Sequence, residues 1–217
     1  MSMHAALNSP EFDHWEAIYR DKGEAQTSWF RAHLDTSLRL IDGLQLAETS
    51  TPVIDVGAGR STLAQDLLAR GFSDVTVLDI AEPALRVARE RLGADAARVR
   101  WLVSDIAGTV LPAGAFGLWH DRAVFHFFTE AAARARYVAA AAAAVRAGGY
   151  AIVATFAPDG PERCSALPVR RYDADALAAE FAPHFALRDS AIEEHVTPWG
   201  AMQPFTYVVL QRNDTPK

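Results

Sequence analysis

Cysteine is almost missing from this chain: Cys164 is the single one in 217 residues. Neither an internal disulfide nor a thiolate zinc site can be built from it, and such usage predicts a cytoplasmic protein in a reducing compartment. Lysine is nearly as scarce, at Lys22 and Lys217, and no basic run is interleaved with aromatics. With a formal net charge of −6 this argues against a nucleic-acid surface. Long apolar runs are lacking too. Met1 to Pro10 has no basic start and no apolar core, and the alanine-rich stretch 131–145 is broken by Arg134 and Arg136. Signal peptide, membrane span and membrane partner are therefore not expected. No repeat or low-complexity linker divides the sequence, so 1–217 reads as one domain, with 1–10 flexible and 11–46 a helical cap.

What is present starts at Val53-Ile54-Asp55-Val56-Gly57-Ala58-Gly59, an apolar run followed by a Gly-x-Gly turn. The run reads as a buried strand, and glycines let the backbone come close to a ligand where a Cβ would clash. Ser61 or Thr62 then caps a helix from Leu63 to Arg70. A dinucleotide loop would place a third glycine where Thr62 stands, and Asp55 would set a negative charge beside a pyrophosphate. A cationic ligand suits Asp55 better. A second apolar strand ends at Asp79, a little over twenty residues later, where open α/β sheets place the carboxylate that holds ribose hydroxyls. A third ends at Asp105.

The pattern Asp-x-Gly-x-Gly, followed by Asp79 and Asp105, resembles the class I S-adenosylmethionine (SAM)-dependent methyltransferases. The resemblance implies a Rossmann-like, doubly wound α/β sheet of about seven strands, mostly parallel, with an antiparallel C-terminal hairpin at 184–193 and 205–212. It implies SAM as cofactor, S-adenosylhomocysteine as product and no metal. It gives Asp55 the amino-acid end of the cofactor, Asp79 the ribose, Asp105 the adenine amine and Ile106 the adenine ring face, with Gly57, Gly59 and Ile80 also at the cofactor. Trp15, Tyr19 and Trp29 resemble a lid over the methionine half, where aromatic faces also attract a sulfonium. Such a lid is expected to order on binding.

Trp119-His120-Asp121-Arg122-Ala123 lies where an expected fourth strand, Phe116 to His120, ends, on the side of the reactive methyl. It resembles the Trp-Asp-Arg-x-Ala segment of the thiopurine S-methyltransferase-like branch, with His120 inserted, and also a group of small protein-lysine methyltransferases. Asp121 and His126 are the candidate catalytic groups. A histidine accepts a proton near neutral pH, although one in the apolar run Val124 to Phe128 also suits a core position. Arg122, Phe125 and Arg163 are candidate substrate contacts, the last in a Pro- and Gly-rich loop, and Cys164 is read as a bystander. A helix capped by Thr129 and stopped by Gly148-Gly149, a fifth strand 150–156 and helices at 10–20, 31–46, 83–92 and 173–181 complete the expectations. The sum is methyl transfer to a small-molecule sulfur, nitrogen or oxygen acceptor. A lysine methyltransferase and a silent SAM-binding protein are the alternatives.

Overall fold

The computed structural model describes residues 10–21, 23, 26–44, 46 and 48–214. The expected flexibility of 1–9 lies outside the described residues. Apolar β-branched runs form β1 (Val53–Val56), β2 (Val75–Asp79) and β3 (Val99–Val103), and β1 and β2 are buried at every position. Such strands need cover on both faces, which parallel crossovers supply. With β4 (Phe116–Arg122), β5 (Val145–Phe156), β8 (Phe185–Val196) and β9 (Met202–Arg212), they form a seven-stranded sheet of order β3-β2-β1-β4-β5-β9-β8. Strands β1 to β5 pair in parallel, and β9 runs antiparallel to both β5 and β8. A small hairpin, β6 (Arg163–Cys164) and β7 (Leu167–Pro168), stands apart. The fold is the Rossmann-like α/β sheet with its antiparallel C-terminal pair.

Two apolar layers sandwich the sheet. On one face α2 (Asp35–Asp42), α3 (Leu63–Ala69) and α4 (Glu82–Leu92) insert Leu38, Ile41, Leu67 and Leu85. On the other, α5 (Ala131–Ala144) and α6 (Ala174–Phe181) insert Tyr137, Ala141, Leu177 and Phe181. Helix α1 (Pro10–Asp21) precedes both layers and packs through Tyr19 beside Ala81 and Ala84. The strand order reverses between β1 and β4, and in open α/β sheets the ligand crevice lies at that point, beyond the carboxyl ends of the strands. No helix among the described residues is long and apolar enough to cross a membrane.

Several boundaries differ from expectation. Helix α2 starts at Asp35, and residues 31–34 are coil, with Thr62 Oγ1 donating to the Ala32 carbonyl at 2.9 Å. Thr62 is thus occupied, and Ser61 Oγ accepts the Leu63 N–H at 3.0 Å as the start of α3. Thr129 does not cap α5. Glu130 holds the cap position without a side-chain bond, and the Thr129 carbonyl accepts from Arg134 at 2.6 Å. Gly148-Gly149 does not stop that helix either. It ends at Ala144, and the glycines lie inside β5, where the register against β4 slips between Phe116 and Leu118. Gly149 fits this irregularity because a Cβ would lie 3.0 Å from the Gly117 carbonyl.

Candidate functional site

The ends of β1, β2 and β3 present three carboxylates to one cavity of about 450 Å³. The glycine loop folds back over β2, the Gly57 and Ala58 N–H groups donating to the Leu78 carbonyl at 2.7 and 3.2 Å. Asp79 then accepts from Gly59 N–H at 2.7 Å and from Ala81 N–H at 2.8 Å, one bond on each oxygen. A carboxylate oxygen has a further lone pair, so both keep capacity toward the cavity. Burial pushes this carboxyl up to about 6, against the pull of the Ala81 and Gly59 N–H groups. Asp105 accepts from Ala107 N–H at 2.8 Å, and Ile106 lies beside it, buried, on the wall.

Asp55 is held differently. Its Oδ1 lies 2.7 Å from His120 Nδ1, and His120 Nε2 lies 2.9 Å from Ser37 Oγ on α2. Its Oδ2 is buried without a hydrogen-bond partner, and Asp55 is one of the residues that line the cavity. A buried carboxylate oxygen left unpaired costs about 1–3 kcal/mol or more, so this atom marks a place for a donor. His120, inserted relative to the family pattern, is the residue that orients it.

Gly57 and Gly59 have φ of 61° and 57°. A Cβ at Gly57 would lie 2.0 Å from Val124 Cγ2, and one at Gly59 2.3 Å from Tyr19 Oη. Glycine is required at both positions by the protein's own packing.

The acceptor side departs further from expectation. Asp121 is fully buried on the face of β4 opposite the cavity and accepts from Val124 N–H at 2.9 Å, Phe125 N–H at 3.0 Å and the Tyr137 hydroxyl. Burial pushes its carboxyl up to about 6. It clamps the turn after β4 and is not brought to the cavity. His126 is sealed in the core against Phe127 and Phe156, with neither ring nitrogen bonded, and burial followed by the Arg122 charge lowers it to about 3. It is neutral and has no path to an acceptor proton. Phe125 packs among Tyr137, Tyr172 and Phe181, off the cavity. Arg163 is exposed and donates to the Ala166 carbonyl in its own hairpin. Arg122 alone of the three substrate candidates reaches the cavity wall. Its guanidinium is spent on Tyr207 Oη (2.9 Å), the Trp29 carbonyl (3.2 Å) and Glu193 Oε1 (3.2 Å).

The cover is aromatic. Trp15 packs edge-on against Trp29 (6.0 Å between centroids) and Phe127 (5.2 Å), and Tyr19 against Trp29 (6.3 Å). Trp29 and Ile80 both line the cavity. Arg60 ties this cover to the glycine loop, donating to the Tyr19 carbonyl and lying 5.4 Å from the Tyr19 ring centroid. Burial, with Asp79 adding to it, holds the Tyr19 phenol well above its usual value. Sequence reasoning missed Thr27, Leu34, Phe127 and Cys164, all of which line the cavity. The first two sit in coil with no periodicity to reveal them, and Cys164, read as a bystander, stands on the wall.

A Rossmann-like sheet of this order, with strand-end acids around a cavity beneath an aromatic cover, is similar to the class I SAM-dependent methyltransferases. Residues 53–149 match the family model of a methyltransferase domain. The mouse (Mus musculus) eEF1A lysine and N-terminal methyltransferase is 25% identical over 118 residues, covering 53% of this chain and 16% of the relative. The chain thus matches about a sixth of that curated relative's length. Among solved structures, one from work on conversion of a disulfide bond into a thioacetal group during echinomycin biosynthesis superposes with a TM-score of 0.73. It is 20% identical and covers 94% of this chain and 92% of its own. The Burkholderia thailandensis 1,6-didemethyltoxoflavin-N1-methyltransferase, with bound 1,6-didemethyltoxoflavin and S-adenosylhomocysteine, gives a TM-score of 0.69 at 22% identity, over 99% of this chain and 92% of its own. Likeness at these identities speaks to the fold.

Proposed function

We propose that this chain transfers a methyl group from SAM to a small-molecule sulfur, nitrogen or oxygen acceptor by in-line displacement. The observation that carries the reading is the unpartnered, buried Oδ2 of Asp55 beside the backbone-held Asp79. These residues fit the cofactor: Asp55 would accept from its ammonium group, Asp79 from ribose hydroxyls and Asp105 from the adenine amine, with Gly57 and Gly59 shaping the loop and Ile80 and Ile106 packing on the nucleoside. When bound, SAM supplies an electrophilic methyl on a sulfonium whose leaving group needs no acid. What the chain adds is positioning and the exclusion of water by Trp15 and Trp29, and holding a nucleophile in line supplies much of the rate of such a step. Proton removal is assigned neither to Asp121 nor to His126. The cavity lies in the size range that holds one drug-sized ligand, which suits the cofactor.

The name of the mouse relative supports a second reading, transfer to a lysine or N-terminal amine of a protein. Calorimetry with S-adenosylhomocysteine and with NAD tests the cofactor, and NAD binding alone would sink the proposal. Labelled SAM in cell extract separates the rest: label in a small-molecule fraction supports the first reading and a labelled protein band the second. Binding without any labelled product points to a silent SAM-binding protein.

A further inference from the structure

The coil that carries Trp29 is tied to the C-terminal hairpin at Ser28 and Arg31 and to Arg122 at the end of β4 at Trp29. The Ser28 carbonyl lies 2.6 Å from His195 Nε2, the Trp29 carbonyl accepts from Arg122 at 3.2 Å, and Arg31 Nε stands 3.9 Å from Glu193 Oε1. A carbonyl only accepts, so His195 carries its proton on Nε2. Burial lowers His195 below its usual range, so it donates as a neutral ring. Glu193 is the hub. Its Oε2 accepts from the Tyr207 hydroxyl at 2.6 Å and its Oε1 from Arg122 at 3.2 Å, while Arg122 also reaches Tyr207 Oη at 2.9 Å. Burial works against the ionised Glu193, but Arg122, Tyr207 and Arg31 outweigh it and hold the carboxyl below its usual value.

Buried ion pairs seldom add net stability over a well-packed apolar replacement, so a pair of this kind calls for another use. Here its partners are main-chain groups of a segment without helix or strand, whose next side chains, Trp29, Phe30 and Arg31, line the cavity. Glu193 and His195 themselves do not. We infer that Glu193 and His195 are positioning residues: through Arg122 and the Ser28 and Trp29 carbonyls they set where the aromatic cover sits over the site. This rests on the methyltransferase reading for what the cover encloses. The tie itself is independent of it.

Hydrogen exchange of the full chain, with and without S-adenosylhomocysteine, tests the inference in His195→Phe and Glu193→Gln. His195 packs 6.0 Å from the Phe205 ring, so the Phe variant keeps the packing and loses only the donor, a safeguard should Glu193→Gln unfold. Exchange across 27–34 without ligand should quicken about five- to tenfold, the equivalent of one lost hydrogen bond. Amides of β1 to β3 should exchange as in the wild type in His195→Phe, and its affinity for S-adenosylhomocysteine should fall several-fold. Wild-type exchange across 27–34 in a folded His195→Phe overturns the inference, as does unaltered affinity in both variants when the wild type binds. A wild type that binds no S-adenosylhomocysteine instead overturns the methyltransferase reading, and the ligand-free exchange still decides the tie.

Discussion

The two halves of the sheet that flank the cavity use charge in opposite ways. Beyond β1, β2 and β3 the carboxylates are held mainly by backbone N–H groups or by one histidine and keep lone pairs for something else, as Asp55 Oδ2 and Asp79 show. Beyond β4, β8 and β9 the charges are spent on one another: Asp121 on its turn and Tyr137, Arg122 on Glu193, Tyr207 and a carbonyl. The first half is preorganised to receive a ligand, and the second to hold the protein's own cover in place. A buried charge therefore signals a binding site only when part of its hydrogen-bonding capacity is left over.

The largest effect that would test this contrast is at Asp121. Asp121→Ala leaves two N–H groups and the Tyr137 hydroxyl buried without their acceptor, and urea unfolding should show a loss of about 3–5 kcal/mol. If stability held and only turnover fell, Asp121 would return to the reaction. In the other half, Asp79→Asn should weaken S-adenosylhomocysteine binding by about 1–3 kcal/mol by calorimetry, since one oxygen becomes a donor facing hydroxyls.

Acidity sharpens the comparison. Asp79 sits near 6 in the fold against an ordinary 3.8, so between these values the folded state binds protons that the unfolded chain does not. Stability from this group thus falls as pH rises from about 4 to about 6 and is level above, and Asp121 adds in the same direction. Ligand binding runs the other way. The carboxylate is the form that accepts from ribose, so affinity should weaken below about pH 6, by at most about tenfold per unit. Calorimetry across pH 4.5 to 7.5, roughly the window either side of that value, should show this in the wild type and a flat profile in Asp79→Asn. The smallest effect is at exposed Arg163, bonded only within its own hairpin. Arg163→Ala should shift stability by less than about 0.5 kcal/mol and leave methyl transfer unchanged, and a marked fall in turnover would restore it to the acceptor site.

The convergence of three carboxylates on one cavity was legible because strand-end acids at α/β spacing are a local pattern: Asp55, Asp79 and Asp105 each lie in or after an apolar run. The acceptor half depends on side-chain parity and on distant partners. Alternate residues of a strand face opposite sides, so once His120 and Arg122 point to the cavity, Asp121 cannot. Parity became readable only with the true extent of β4, through Arg122. His126 shows the same limit, since a run of apolar neighbours suits a buried core ring and a poised base equally well. No local pattern announces that Ser28 meets His195, 167 positions away.

The matched methyltransferase stretch, 53–149, contains neither the coil around Trp29 nor the β8–β9 hairpin that grips it. The two flanks meet directly, Ser28 with His195 and Arg31 with Glu193, and also through Arg122, which belongs to the matched stretch. Replacing the hairpin alone with a foreign counterpart would leave the Ser28 carbonyl and the Arg122 charge without their partners, while the Trp29 carbonyl would keep Arg122. The coil and the hairpin are therefore both keyed to one core side chain, and a transplanted pair of flanks would work only on a core that carries an arginine at this place.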